Sequence, residues 1–94
     1  LAEENKWVAT RNRLRVAGQQ LNAWFANGGR SVDPARMDMA AVSAALGLDA
    51  QATRDGWGRE VRYGSDGKGF RLFSAGPDGE FGTPDDIEYR RLLD

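Results

Sequence analysis

The first 27 residues carry apolar side chains at the spacing of an α-helix. The residues that recur on one side are Trp7, Leu14, Ala17, Leu21 and Trp24. Val8 and Phe25 widen this apolar stripe, and Asn27 with the two glycines after it favours the left-handed conformation that ends helices. The pattern predicts one long amphipathic helix over about residues 3–27, with its stripe packed in the core.

A second helix is predicted over about residues 34–46. Asp33 is a preferred N-cap residue, and Pro34 suits the first helical position. Apolar residues, mostly alanine, follow at helical spacing from Met37 onwards until Gly47, which is suited to end a helix. We therefore expect a short helix with one buried face that packs closely on a neighbouring element.

The rest of the chain is rich in glycine and predicts strands joined by turns. Eight of the twelve glycines lie between residues 56 and 82, which excludes long helices there. Short runs with high β propensity occupy residues 60–63, 69–74 and 87–92. The order helix, helix, three strands predicts an α+β domain in which a three-stranded antiparallel sheet packs on the first helix.

Composition narrows the classes of function. With 94 residues, 40% of them hydrophobic, the chain is long enough for one domain, residues 1–94, and too short for two ordinary ones. The formal net charge of -1 gives no overall field that would attract nucleic acid. Cysteine and histidine are absent, which removes thiol chemistry, Ser-His-Asp catalysis and the usual zinc sites. Catalysis would have to rest on carboxylates.

The segment between the second and third predicted strands, residues 76–86, is acidic, and we call it the acidic loop. It holds Asp78, Glu80, Asp85 and Asp86 and no basic residue. Because like charges repel, a bound cation would stabilise such a loop, and carboxylates with turn carbonyls are ligands suited to calcium. The residues alone leave three interpretations open: a calcium site, a solvated turn, or a glycosidase pair formed by Glu80 and Asp85.

Three ordered blocks in this half of the chain resemble one bacterial family. They are Asp-Gly-Trp-Gly-Arg-Glu-Val-Arg-Tyr at 55–63, Phe-Arg-Leu-Phe-Ser-Ala-Gly-Pro-Asp-Gly at 70–79 and Asp-Asp-Ile at 85–87. Together they resemble the C-terminal half of the major pseudopilin of bacterial type II secretion, in the type IV pilin-like superfamily. The resemblance implies a pilin-like fold and a structural subunit, not an enzyme, in a pseudopilus that exports protein across the outer membrane.

The resemblance also implies a site, partners and a location. The family's calcium site falls on the carbonyl oxygens of Ala75 and Glu80 and on the side chains of Asp78, Asp85 and Asp86. The implied partners are further pseudopilin subunits in a homopolymeric filament, together with proteins of the secretion machinery, and no nucleic acid. The implied location is the periplasm, with membrane contact only through an apolar segment upstream of this chain.

A second class of function stays open beside this one, a monomeric calcium-stabilised extracellular binding module. An apolar segment of about 20 residues before Leu1 would favour the pseudopilin over the binding module, because a pseudopilin requires such a segment. For Trp57 we expect a position covering the sheet, with exposure for a subunit contact as the alternative.

Overall fold

One long helix forms the first layer of the fold. The computed structural model describes residues 2–27 and 32–93, and in it helix α1 spans Ala2–Asn27, as predicted. The buried residues along α1 are Thr10, Leu14, Ala17, Gly18, Leu21 and Phe25. Val8 is 54% exposed and does not belong to this stripe, because one position beyond Trp7 is a rotation of about 100°. The two glycines that were predicted to stop the helix lie outside the described residues.

The second predicted helix begins later than expected. The segment from residue 34 to 46 forms a 3-10 turn over Pro34–Arg36 and then helix α2 over Met39–Leu46. The break arises because Asp38 is extended and acts as the N-cap, accepting a hydrogen bond at 2.8 Å from the backbone N–H three residues later. Gly47 ends α2 in the left-handed conformation, as predicted.

Three antiparallel strands form the second layer in chain order, so the second strand lies in the centre. Strand β1 spans Arg62–Gly64, β2 spans Gly69–Ser74 and β3 spans Ile87–Leu92. The bounds of β2 and β3 agree with the prediction, and the α+β arrangement is confirmed. Strand β1 starts two residues later than predicted, because Glu60 pairs instead in an isolated bridge with Arg54.

The core lies between α1 and the inner face of the sheet. Leu21 of α1 and Leu72 of the central strand are both fully enclosed, and α2 contributes Val42, which is also fully enclosed. Tyr63 of β1 stacks on Phe70 of β2 with ring centroids 6.2 Å apart. Within the described residues, no helix is long and apolar enough to cross a bilayer.

Helix α1 and strand β3 are in close contact at Gly18. A methyl group on Gly18 would lie 2.2 Å from Cε1 of Tyr89, so the tyrosine ring occupies the space that any side chain would need. This contact explains why α1 contains a glycine at position 18 and at no other position.

Gly18→Ala is therefore expected to lower the free energy of unfolding by about 1 to 3 kcal/mol, because displacing Tyr89 outweighs the better helix propensity of alanine. Gln19→Ala changes the adjacent exposed position and is the matched control, with an effect within about 0.5 kcal/mol. Urea denaturation measures both. Equal stability of Gly18→Ala and the parent would contradict the tight helix–sheet contact.

Candidate functional site

The acidic loop connects the central strand to β3, and its two ends touch. Ser74 pairs with Ile87 at the last register position of the sheet. Two residues after Ser74, Gly76 has a φ of +73°, and a methyl group there would lie 2.2 Å from the carbonyl oxygen of Asp85. Only glycine fits this position without strain. The sheet register and Gly76 therefore bring the start of the loop against its end.

Three oxygen atoms of the loop converge on one hydroxyl group, that of Thr83. Its Oγ1 lies 2.8 Å from Oδ2 of Asp78, 3.1 Å from the carbonyl oxygen of Glu80 and 3.4 Å from Oδ1 of Asp86. A threonine hydroxyl has one proton and can donate to only one of these acceptors at a time. The Thr83 hydroxyl thus links oxygen atoms of three residues that are predicted calcium ligands.

The other two predicted ligands, Ala75 and Asp85, lie immediately before the acidic loop and near its end. Ala75 is 1% exposed, and its carbonyl oxygen accepts no hydrogen bond from any described residue. The carboxylate of Asp85 likewise has no hydrogen bond or ion pair within the described part of the chain. Across residues 2–27 and 32–93, no three acidic side chains are close enough together to hold a metal ion. The structure thus brings Asp78, Glu80 and Asp86 to the Thr83 hydroxyl, and it does not gather the three predicted carboxylates of Asp78, Asp85 and Asp86 into one cluster.

A guanidinium group lies against the acidic loop and offsets part of its charge. Arg59 donates a hydrogen bond to the carbonyl oxygen of Gly76 at 3.4 Å, and its Cζ lies 2.7 Å from where a methyl group on Gly79 would be. This contact is not evident from the sequence, because Arg59 is 17 residues away from Gly76 along the chain.

The pKa of Asp78 is lowered from its ordinary value of 3.8. The backbone N–H of Glu80 is the largest cause, followed by the Thr83 hydroxyl, with a smaller effect of the Arg59 charge. A lowered pKa means that ionised Asp78 favours the folded loop at neutral pH. This contribution is lost as the pH falls through the lowered pKa.

The middle of the acidic loop is anchored on the outer face of the sheet by an aromatic residue. Phe81 meets Phe73 of β2 edge to face, with ring centroids 5.4 Å apart. The guanidinium of Arg62 lies 3.9 Å from the centroid of the Phe81 ring, within the range of a cation–π contact. The loop is thus held at both ends by the sheet and in the middle by Phe81.

Trp57, which we expected to cover the sheet, is partly buried, packs against the core and also meets the first helix. Its ring meets that of Trp7 edge to face at 5.5 Å. The turn that carries it approaches α1 closely, because a methyl group on Gly56 would lie 2.7 Å from the carbonyl oxygen of Lys6. The hydroxyl of Thr10 also accepts a hydrogen bond from the Gly56 N–H at 2.8 Å. The absence of a side chain at Gly56 therefore allows the turn to bring Trp57 against α1.

No protein-family model, curated protein sequence or solved structure matches this chain significantly.

Proposed function

We propose that this chain is a calcium-stabilised structural subunit of a type II secretion pseudopilus. The observation that carries the proposal is the convergence of Asp78, Glu80 and Asp86 oxygens on the Thr83 hydroxyl. These are three of the five ligands that the sequence resemblance implies. The long helix followed by a three-stranded sheet is the arrangement expected of such a subunit and supports the same proposal.

Calcium would be held by the carboxylates of Asp78, Asp85 and Asp86 and by the carbonyl oxygens of Ala75 and Glu80. The ion would neutralise the repulsion among the acidic side chains and tie the two ends of the acidic loop together. Calcium accepts six to eight oxygens in irregular geometry, whereas magnesium demands a near-ideal octahedron. Flexible carboxylates with fixed carbonyls therefore favour calcium.

In this proposal the domain has a structural role and no catalytic one. The proposed partners are further copies of the subunit in a filament and the proteins of a secretion machinery. The proposed location is the periplasm, with anchoring through an apolar segment upstream of Leu1. The ordered loop would then give each subunit a defined surface for assembly.

The coding sequence upstream of Leu1 tests the filament role. We expect an apolar stretch of about 20 residues immediately before Leu1, long enough to span a bilayer as a continuation of α1. A polar sequence or a start codon at that point would contradict the filament role. The result would favour the monomeric calcium-stabilised binding module instead.

The isolated domain, residues 1–94, is expected to be monomeric at micromolar concentration. The apolar stripe of α1 is buried in the domain's own core, with Leu14 at 2% and Leu21 at 0% exposure. It is therefore not available for contacts between copies, and filament assembly would depend on the upstream segment. Sedimentation velocity measures this directly. A stable dimer or larger oligomer under these conditions would contradict the proposal that filament assembly depends on the upstream segment.

A further inference from the structure

A buried pair of polar side chains lies directly behind the acidic loop. The Ser74 hydroxyl donates a hydrogen bond at 2.7 Å to Oδ2 of Asp55. Asp55 is 2% exposed and Ser74 is 0% exposed. Burying a carboxylate is costly unless its oxygens are satisfied by hydrogen bonds. The hydrogen bonds that satisfy the Asp55 carboxyl group therefore show which parts of the backbone it organises.

The Asp55–Ser74 pair holds the backbone on both sides of the Ala75 carbonyl. Ser74 belongs to β2, and its Oγ accepts a hydrogen bond at 3.1 Å from the N–H of Gly76. The hydroxyl can do this while donating to Asp55, because a serine oxygen has one proton and two lone pairs. The orientation of the peptide that carries the Ala75 oxygen is therefore fixed from the core side.

The other oxygen of Asp55 organises the turn over residues 55–59. Oδ1 accepts hydrogen bonds from the N–H groups of Trp57 at 2.9 Å and Arg59 at 3.0 Å. That turn places the Arg59 guanidinium against the acidic loop, where it donates to the Gly76 carbonyl. Asp55 is thus connected to Gly76 at the start of the loop in two ways: through the Ser74 hydroxyl, and through the turn that positions Arg59.

We propose that the Asp55–Ser74 pair is a positioning element that presets the acidic loop for a divalent cation and couples cation binding to the Trp57 turn. The proposal rests on the proposed calcium-binding function. Groups that orient metal ligands without touching the metal commonly contribute a factor of about 10 to 100 in affinity.

The test compares calcium binding by the parent domain and by Ser74→Ala, using isothermal titration calorimetry with calcium chloride. Ser74→Ala should raise the Kd about 10- to 100-fold. Ser65→Ala is the matched control, because the Ser65 hydroxyl donates to the Gly69 carbonyl in the other hairpin. Its Kd should equal that of the parent. Circular dichroism establishes that each variant is folded.

Amide hydrogen exchange is a second measurement. It uses only the parent domain, so it does not depend on whether Ser74→Ala folds. Calcium should slow the exchange of Gly76 and also that of Trp57 and Arg59, which lie outside the acidic loop. A purely structural role of the pair would leave the Trp57 and Arg59 amides unaffected by calcium.

The outcomes separate the two proposals. A parent domain that binds no calcium overturns the proposed function and the positioning role with it. A parent that binds calcium, with an unchanged Kd in folded Ser74→Ala or with unchanged exchange at Trp57 and Arg59, overturns the positioning role alone.

Discussion

Asp55→Ala is expected to destabilise the domain by about 3 to 5 kcal/mol. The substitution removes the acceptor of the Trp57 and Arg59 N–H groups and of the Ser74 hydroxyl. Leaving a buried donor unsatisfied costs about 1 to 3 kcal/mol, and three donors lose their partner here. The estimate lies in the lower part of the simple sum of about 3 to 9 kcal/mol, because the Trp57 and Arg59 N–H groups are only partly buried and can relax into water.

Asp49→Ala is the matched control for this prediction. Asp49 is exposed, and it also accepts a backbone hydrogen bond, from Ala52 N at 2.8 Å. Its loss should cost about 1 kcal/mol, as for other exposed capping residues. Urea denaturation monitored by circular dichroism measures both variants. Similar urea midpoints for Asp55→Ala and Asp49→Ala would contradict the inference that the three hydrogen bonds of Asp55 stabilise the fold.

Calcium is expected to raise the thermal midpoint of the parent domain by about 10 to 20 °C at a hundredfold excess over its Kd. An ion that binds only the folded loop stabilises by RT ln(1 + [L]/Kd), about 2.7 kcal/mol at this excess. For a domain of this size, each kcal/mol corresponds to a shift of about 4 to 8 °C. Differential scanning calorimetry with and without calcium measures the shift.

Magnesium and a chelator provide the controls for the thermal experiment. Magnesium at the same concentration should raise the midpoint far less, because its octahedral geometry is harder for this loop to meet. A chelator should return the midpoint to its metal-free value. Equal midpoints with calcium, magnesium and chelator would mean that the acidic loop is an ordinary solvated turn.

Local patterns were sufficient to predict most of the fold. Helix α1 follows from apolar residues spaced at 3.6 per turn, and β2 and β3 follow from short β-favouring runs between turns. The break before α2 was missed because Asp33 and Asp38 are both competent N-caps, and each caps its own element. When two N-cap residues lie five positions apart, the sequence does not show which of them begins the longer helix.

The candidate site was predictable only where its residues are close together in the chain. The acidic pattern alone drew attention to Asp78, Asp85 and Asp86, which lie on one loop. Asp55 and Arg59 reach that loop only through the packing of separate elements, and Thr83 carries no charge that would distinguish it. The contact of Trp57 with Trp7 was likewise not predictable, because it depends on the close approach of Gly56 to α1.

The most direct test of the calcium-binding loop is titration of the chelator-treated domain with calcium in a calorimeter. The parent should bind one calcium ion per chain, whereas Asp78→Ala and Asp86→Ala should lose this binding. Asp66→Ala should retain it, since Asp66 caps an equivalent glycine turn and accepts from Lys68 N at 2.9 Å, outside the acidic loop. Absence of calcium binding by the parent, or an equal loss in Asp66→Ala, would contradict a calcium site in the acidic loop.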